Sequence, residues 1–305
     1  MLKFFQLLLE ILFPSTCLIC DCPTPPPIHF FSFYKISLET FFCSKCRKEI
    51  SISPNVFCRR CARVISVNKD GCSCSREYCY IDEVRPLHFY HGIIRTVVLR
   101  MKKDKKQILT RAIAKLYFSE RHTELEQFRP DGIVAVPMNW QRFMARGGIN
   151  APATIAKELS RELGIPCWSN HIKRKRSTLP QTVIKWDERF LNVYNAFEIS
   201  EKKNRFRKIF RFVILKALKN TWVIFPKQQN RFQQIEKKVI YFVKKTLPSV
   251  DGIFQDKRIV IVDDVFTTGS TTNEIARILK EAGASAVMVI VIARAGLGKD
   301  KMRNI

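Results

Sequence analysis

The chain has 305 residues, enough for two domains, and its 46% hydrophobic content can bury a sizeable core. A formal net charge of +26, from 53 basic and 27 acidic residues, implies attraction to polyanions: nucleic acid, an anionic membrane surface or phosphorylated substrates. Ten of the 11 cysteines lie before residue 80, mostly in doublets, which excludes a disulfide framework in favour of bound metal.

Residues 1–14, MLKFFQLLLEILFP, hold a short apolar run interrupted by Gln6 and Glu10. The run is too short to span a bilayer and lacks a small-residue cleavage site, so it reads as a helix ending before Pro14, not as a signal peptide. No other segment reads as a membrane span, and a cytoplasmic location is expected. Three C-x-x-C doublets follow, Cys17/Cys20, Cys43/Cys46 and Cys58/Cys61, then an irregular group of Cys72, Cys74 and Cys79. A C-x-x-C turn sets two thiolates on one side of a tight loop, two corners of a zinc tetrahedron. Sequential pairing assigns one Zn2+ to Cys17, Cys20, Cys43 and Cys46. It assigns a second to Cys58, Cys61, Cys72 and Cys74, with Cys79 able to replace either of the last two. Four protein thiolates leave no open position, so the zinc is structural. Cys22 is spare, and Pro23, Pro25, Pro26 and Pro27 forbid regular structure beside it.

Val84 to Tyr90 reads as a strand and Gly92 as a turn. Residues 93–118 read as helical, with Ile94, Val97, Val98, Met101, Ile108, Ile113, Leu116 and Tyr117 apolar. Lys102, Lys103, Lys105 and Lys106 cluster between them as a solvated turn, from which one lysine can reach a phosphate. Asp131 to Pro137 is a second buried strand. The Gly- and Arg-bearing loop after it, with Arg142, Arg146 and Gly147, is suited to an anion. A helix over 151–163 packs Ile155, Ala156 and Leu159 inward. The run Lys173-Arg174-Lys175-Arg176 is either a solvated loop or a phosphate or nucleic-acid contact. Between Lys202 and Lys245 there are 14 basic residues and one acid, with Phe206, Ile209, Phe210, Val213 and Ile214 at helical spacing. Such a basic amphipathic helix suits nucleic acid, a membrane surface or a partner; the plain alternative is a hairpin packed on the core with its charge solvated.

The most informative stretch is Ile259 to Ala284. Four β-branched residues, Ile259 to Val262, form a strand buried on both faces. Asp263 and Asp264 stand at its carboxyl end, then Thr267, Thr268, Gly269, Ser270 and Thr271, then a helix that ends at Gly283. Free N–H groups and the dipole at a helix N-terminus attract an anion, Gly269 admits it closely, and the hydroxyls add donors. Two adjacent carboxylates suit neighbouring sugar hydroxyls. Together they describe a sugar phosphate site, and the absence of a Gly-Lys-Ser/Thr ending separates it from a Walker A loop.

Val262-Asp263-Asp264-Val265-Phe266-Thr267-Thr268-Gly269-Ser270-Thr271 resembles the phosphoribosyl-pyrophosphate (PRPP) loop of type I phosphoribosyltransferases. The resemblance implies that Asp263 and Asp264 hold the ribose 2′ and 3′ hydroxyls. Thr267, Thr268, Gly269, Ser270 and Thr271 then hold the 5′-phosphate, and Arg142, Arg146 and Gly147 form the pyrophosphate loop. Mg2+ accompanies PRPP, held mostly by substrate oxygens and water. Over residues 10–202 and 257–294 the chain is similar to the ComF (GntX-type) competence protein family. The similarity runs through Leu12-Phe13-Pro14-x-x-Cys17, the cysteine doublets, Val136-Pro137 with Arg142 and Arg146-Gly147, Thr178-Leu-Pro-Gln181, Glu188-Arg189-x-x-Asn192-Val193 and Ala196-Phe197. The implied fold is α/β: a type I phosphoribosyltransferase-like parallel sheet flanked by helices over 81–305, preceded by a small cysteine-rich double zinc ribbon over 1–80 and carrying a basic insertion at about 201–255. The implied function is PRPP and Mg2+ binding in competence and DNA uptake, with single-stranded DNA and other competence proteins as partners. The chain is then either a pentosyl-transferring enzyme or a non-catalytic nucleic-acid binder that uses the fold as a scaffold or PRPP sensor. No residue is committed as a general base; Gln181 and Arg189 are expected to line the site from a flap. The chain departs from the family at Gly148-Ile149, where an aromatic usually follows a single Gly, in the irregular fourth cysteine group, and in the long insertion.

Overall fold

The computed structural model describes residues 15–24, 38–51, 58–63, 74, 80–176, 178, 188–200 and 252–295. The expected N-terminal helix, the proline-rich loop beyond residue 24, Cys72, Cys79, Gln181 and the basic segment 201–251 lie outside the described residues. In chain order the elements are α1 (Leu38–Phe41), α2 (Ser44–Ile50), β1 (Glu83–Phe89), α3 (Gly92–Met101), α4 (Ile108–Phe128), β2 (Gly132–Ala135), α5 (Trp140–Ala145) and α6 (Ala151–Leu163). They continue as β3 (Ile172–Arg174), α7 (Arg189–Val193), β4 (Phe197–Ile199), β5 (Arg258–Phe266), α8 (Ser270–Glu281) and β6 (Ala286–Arg294).

Four strands form a parallel sheet in the order β1-β6-β5-β2; β3 and β4 form a small antiparallel pair. The central strands are near-continuous runs of Val and Ile because both of their faces are covered. Period-two alternation divides them between two cores. Val260, Val262, Met288 and Ile290 face α3, α4 and α6. Ile259, Ile261, Val287, Val289 and Val291 face α8, Ile172 and Phe197. The cysteine-bearing segments divide the same way. Cys17, Ile19, Phe42, Cys46 and Ile50 join the first core, with α1 against α4 and α2 against α3. Cys61, Ala62, Cys74 and Ile81 join the second.

The helix expected over 93–118 is two helices. The lysine-rich turn separates them: Asp104 accepts the Thr110 N–H at 3.3 Å, Gln107 is left-handed at φ 57°, and α4 then runs on to Phe128. Gly92, expected in a turn, opens α3 with φ 49°. Helix α6 occupies its expected range, stopped by Gly164 in the left-handed region at φ 65°. Among the described residues no helix is long and apolar enough to cross a membrane.

Candidate ligand cleft and metal centres

In parallel α/β sheets ligands bind beyond the carboxyl ends of the strands. Here β5 and β2 are neighbours, so the loops that follow them face one another across a cleft of about 540 Å³. From the β5 side it is lined by Asp263, Asp264, Thr267, Thr268, Gly269, Ser270 and Thr271, and from the β2 side by Asn139, Arg142 and Arg146.

The acidic pair is strained electrostatically. The Asp264 N–H donates to Asp263 Oδ1 at 2.8 Å, and Lys102 Nζ stands 3.3 Å from Asp264 Oδ2. Burial, with the Asp264 charge beside it, pushes the Asp263 carboxyl well above the usual carboxylate range. The anion loop is built around Gly269, whose φ of 75° would strain any side chain. Its carbonyl accepts from the Asn273 N–H at 2.8 Å and the Thr272 hydroxyl at 3.0 Å, while the Thr268 and Ser270 hydroxyls lie 3.0 Å apart. The opposite loop contains a helix the sequence did not announce, α5, capped by Asn139, whose Oδ1 accepts from the Gln141 and Arg142 N–H groups. Its other face carries Trp140 and Met144, 70% and 57% exposed, with the Trp140 and Phe143 rings stacked at 5.8 Å.

The cysteines assemble into two groups. The sulfurs of Cys17, Cys20, Cys43 and Cys46 all lie within 4.8 Å of one another, with Cys20 and Cys43 3.6 Å apart. Zinc–sulfur bonds of about 2.3 Å give a tetrahedron edge of about 3.8 Å, so the spacing fits the ion. Burial opposes charge at Cys17, yet the backbone N–H groups of Cys43, Cys20 and Ile19 outweigh it and bring the thiol down to about 7. Burial and the neighbouring thiols push Cys46 up. Four sulfurs this close cannot all ionise unaided; a divalent cation removes that conflict. The second group is Cys58, Cys61 and Cys74, also within 4.8 Å, with Cys58 and Cys74 3.5 Å apart. The other expected ligand, Cys72, and its alternative Cys79 lie outside the described residues.

Residues 212–304 match the model of the phosphoribosyl transferase domain, a match that spans β5, the anion loop and β6. The chain is 25% identical over 259 residues to Competence protein F of Haemophilus influenzae, covering 83% of this chain and 90% of that protein. It is 28% identical over 210 residues to the DNA utilization protein YhgH of Escherichia coli K12, covering 67% and 69%. A 66-residue stretch is 32% identical to Competence protein ComFC of Streptococcus pneumoniae, 22% of this chain and 27% of that one. These similarities support a ComF-type, phosphoribosyltransferase-like family.

Of the residues that the ComF resemblance singles out, Arg142 and Arg146 line the cleft with the whole Asp263–Thr271 set, and Thr178 lines it too. Gly147 stays off the wall and serves the turn, at φ 61°. Arg189 opens α7 and does not reach the cleft. From the two lysine and arginine runs, one residue each enters: Lys102 and Arg174. Arg174 Nη1 donates to Thr178 Oγ1 at 2.6 Å, its guanidinium lies 4.6 Å over the Phe197 ring, and its Nε is buried with no hydrogen-bond partner among the described residues. Burial and the facing Arg142 pull it down to about 10. Lys173, Lys175 and Arg176 are exposed. The signal that separates them is strand alternation: Ile172 points inward, so Arg174 does as well. Arg294, at the end of β6, was not anticipated from the sequence at all.

Proposed function

We propose that the cleft binds PRPP with Mg2+ and that the chain acts in competence and DNA utilization, handling single-stranded DNA. The observation that carries this is the meeting, across one cleft, of two adjacent carboxylates and a hydroxyl-rich helix start with Arg142, Arg146 and Arg174. Asp263 and Asp264 would accept from the ribose hydroxyls; Thr267 to Thr271 would hold the 5′-phosphate at the N-terminus of α8. The three arginines would hold the diphosphate and stabilise charge that develops as it leaves. Mg2+, when bound with the diphosphate, supplies further charge neutralisation and is held mainly by substrate oxygens and water. Displacement at C1 would rest on positioning and charge stabilisation.

A second reading has its own support. Among the described residues lining the cleft there is no histidine or glutamate, and both aspartates are committed to the sugar. This favours a non-catalytic PRPP sensor or nucleic-acid-binding scaffold over a transferase with a dedicated general base. The Trp140–Phe143 stack, with Trp140 exposed, and the names of the relatives support a nucleic-acid partner under either reading. The proposal extends to the organisation: a double zinc ribbon over 1–80, a phosphoribosyltransferase-like unit over 81–305, and a basic insertion at 201–255 that contacts DNA or a membrane surface. It also takes the protein to be cytoplasmic and to work with other competence proteins. Calorimetry of PRPP with Mg2+ tests it, wild type against Asp263→Asn/Asp264→Asn. The double variant should lose measurable binding while its melting curve stays near wild type; unchanged affinity would end the PRPP reading.

A further inference from the structure

Arg294 is 2% exposed. Its Nε donates to the Cys61 carbonyl at 2.8 Å. Its Nη1 donates to the carbonyls of Phe266 at 3.1 Å, Thr267 at 2.7 Å and Ala295, and the guanidinium lies 5.1 Å over the Phe266 ring. One side chain therefore grips the second cysteine group with one edge and the root of the anion loop with another. The guanidinium is a rigid plane, so movement of one set of acceptors is transmitted to the other. Because a trans peptide points its N–H opposite to its carbonyl, drawing the Phe266 and Thr267 carbonyls toward Arg294 turns the Thr267 and Thr268 N–H groups away from it. Both residues line the cleft.

The Cys61 carbonyl belongs to a tight turn. The Ala62 N–H donates to the Cys58 carbonyl at 2.8 Å, the Cys58 N–H to the Arg63 carbonyl at 2.8 Å, and Ala62 is left-handed at φ 53°. A metal on Cys58, Cys61 and Cys74 pins that turn from the sulfur side.

We propose that Arg294 ties metal occupancy of the Cys58/Cys61/Cys74 group to the shape of the Thr267–Thr271 loop, so that the cleft is formed for its ligand only when this metal is in place. The consequence for ligand binding rests on the PRPP reading of the cleft; the mechanical link does not. In this arrangement Arg294 is a positioning residue and touches no ligand itself.

The experiment uses the full chain as wild type, Cys58→Ser, Arg294→Gln, Arg294→Lys, and Cys58→Ser with Arg294→Gln. Three quantities are read: zinc per chain, hydrogen exchange in residues 266–272, and PRPP affinity with Mg2+. Cys58→Ser should lose a zinc and speed exchange in the loop about tenfold or more, the scale of losing hydrogen bonds to a charged group. Arg294→Gln should keep the full zinc content and show the same faster exchange. The double variant should be no faster than either single one, and PRPP affinity should fall in step. Arg294→Lys, which keeps the charge in a smaller head, should exchange at an intermediate rate and carries the comparison if Arg294→Gln fails to fold. Wild-type loop exchange in a zinc-depleted Cys58→Ser protein overturns the proposal. So do full zinc retention in that variant and additive effects in the double one. If wild type shows no PRPP binding, the PRPP reading fails, while the exchange comparison still decides the link.

Discussion

Replacing Arg174 by methionine should separate binding from stability. Arg174 is a half-buried cation facing a second cation, and among the described residues it makes no ion pair with a carboxylate. The drop from the ordinary guanidinium range to about 10 corresponds to about 3 kcal/mol held against the charged form. Solvent screening at a partly exposed group reduces this to about 1–2 kcal/mol. At neutral pH the folded and unfolded chains both carry the proton, so this cost applies in full and methionine relieves it. Against that gain stand the stacking on Phe197, about 0.5–1 kcal/mol, and the hydrogen bond to Thr178, about 1 kcal/mol. The contributions nearly cancel, so the melting temperature of the ligand-free protein should move by no more than about 2–4 °C, the equivalent of 1 kcal/mol in a chain of this size. An anionic ligand loses a charge-assisted contact worth about 1.5–3 kcal/mol, so diphosphate affinity should fall about ten- to a hundredfold. Titration calorimetry with pyrophosphate and, separately, ribose 5-phosphate reads this, with loss expected only for pyrophosphate. A variant that melts much earlier yet binds pyrophosphate as wild type would show that Arg174 is there to pack, and the charge argument would fail.

Asp263 has its folded-state value raised, so the folded protein holds a proton that the unfolded chain has released. Its contribution to stability must therefore decline as pH rises from the ordinary carboxylate range toward the raised value. Urea titrations across that window should show the decline in wild type and its absence in Asp263→Asn. Protein purified without chelator should contain at least one zinc per chain. Stripping it should unfold the Cys17–Cys46 segment, because such a site contributes about 10–16 kcal/mol; metal analysis that finds no zinc refutes this. Deleting residues 202–245 removes 14 basic residues and one acid. It should weaken binding to single-stranded oligonucleotides at low salt far more than at high salt, since each phosphate contact releases counterions. A salt-insensitive loss on anionic vesicles instead would assign the segment to a membrane surface, and no change in either assay would leave it a solvated insertion.

Much of the cleft was legible because its chemistry is local in the chain. A β-branched run, two acids, five small polar residues and a helix lie in one stretch, and each is recognisable from residue type alone. Helix α6 announced itself through the spacing of Ile155, Ala156 and Leu159, all buried. The parts that escaped are set by neighbours distant in sequence. Arg174 looks like Lys173 and Lys175 until the pairing of Arg174 with Phe197 gives the run a strand's alternation. Arg294 reads as the polar end of an apolar run, and its partners sit 28, 27 and 233 residues away. The division of the cysteines between two sheet faces depends on strand order, which doublet spacing does not encode.

That strand order has a consequence for how the molecule is put together. The last strand, β6, lies between β1 and β5, pairing Glu83 with Met288 and Arg258 with Ala286. During synthesis β1 has no lateral partner until the far end of the sheet has emerged, and such long-range closure is slow. The Cys17–Cys46 group packs against α3 and α4, made from residues that follow it closely, so it can mature while the chain is still being extended. Cys61, by contrast, takes a hydrogen bond from Arg294 at the end of that final strand. This tie can form only after the final strand slots in. The turn that carries Cys61 thus gains its Arg294 contact only at the last step of assembly, whereas the contacts of α1 and α2 with α3 and α4 join neighbours in the chain.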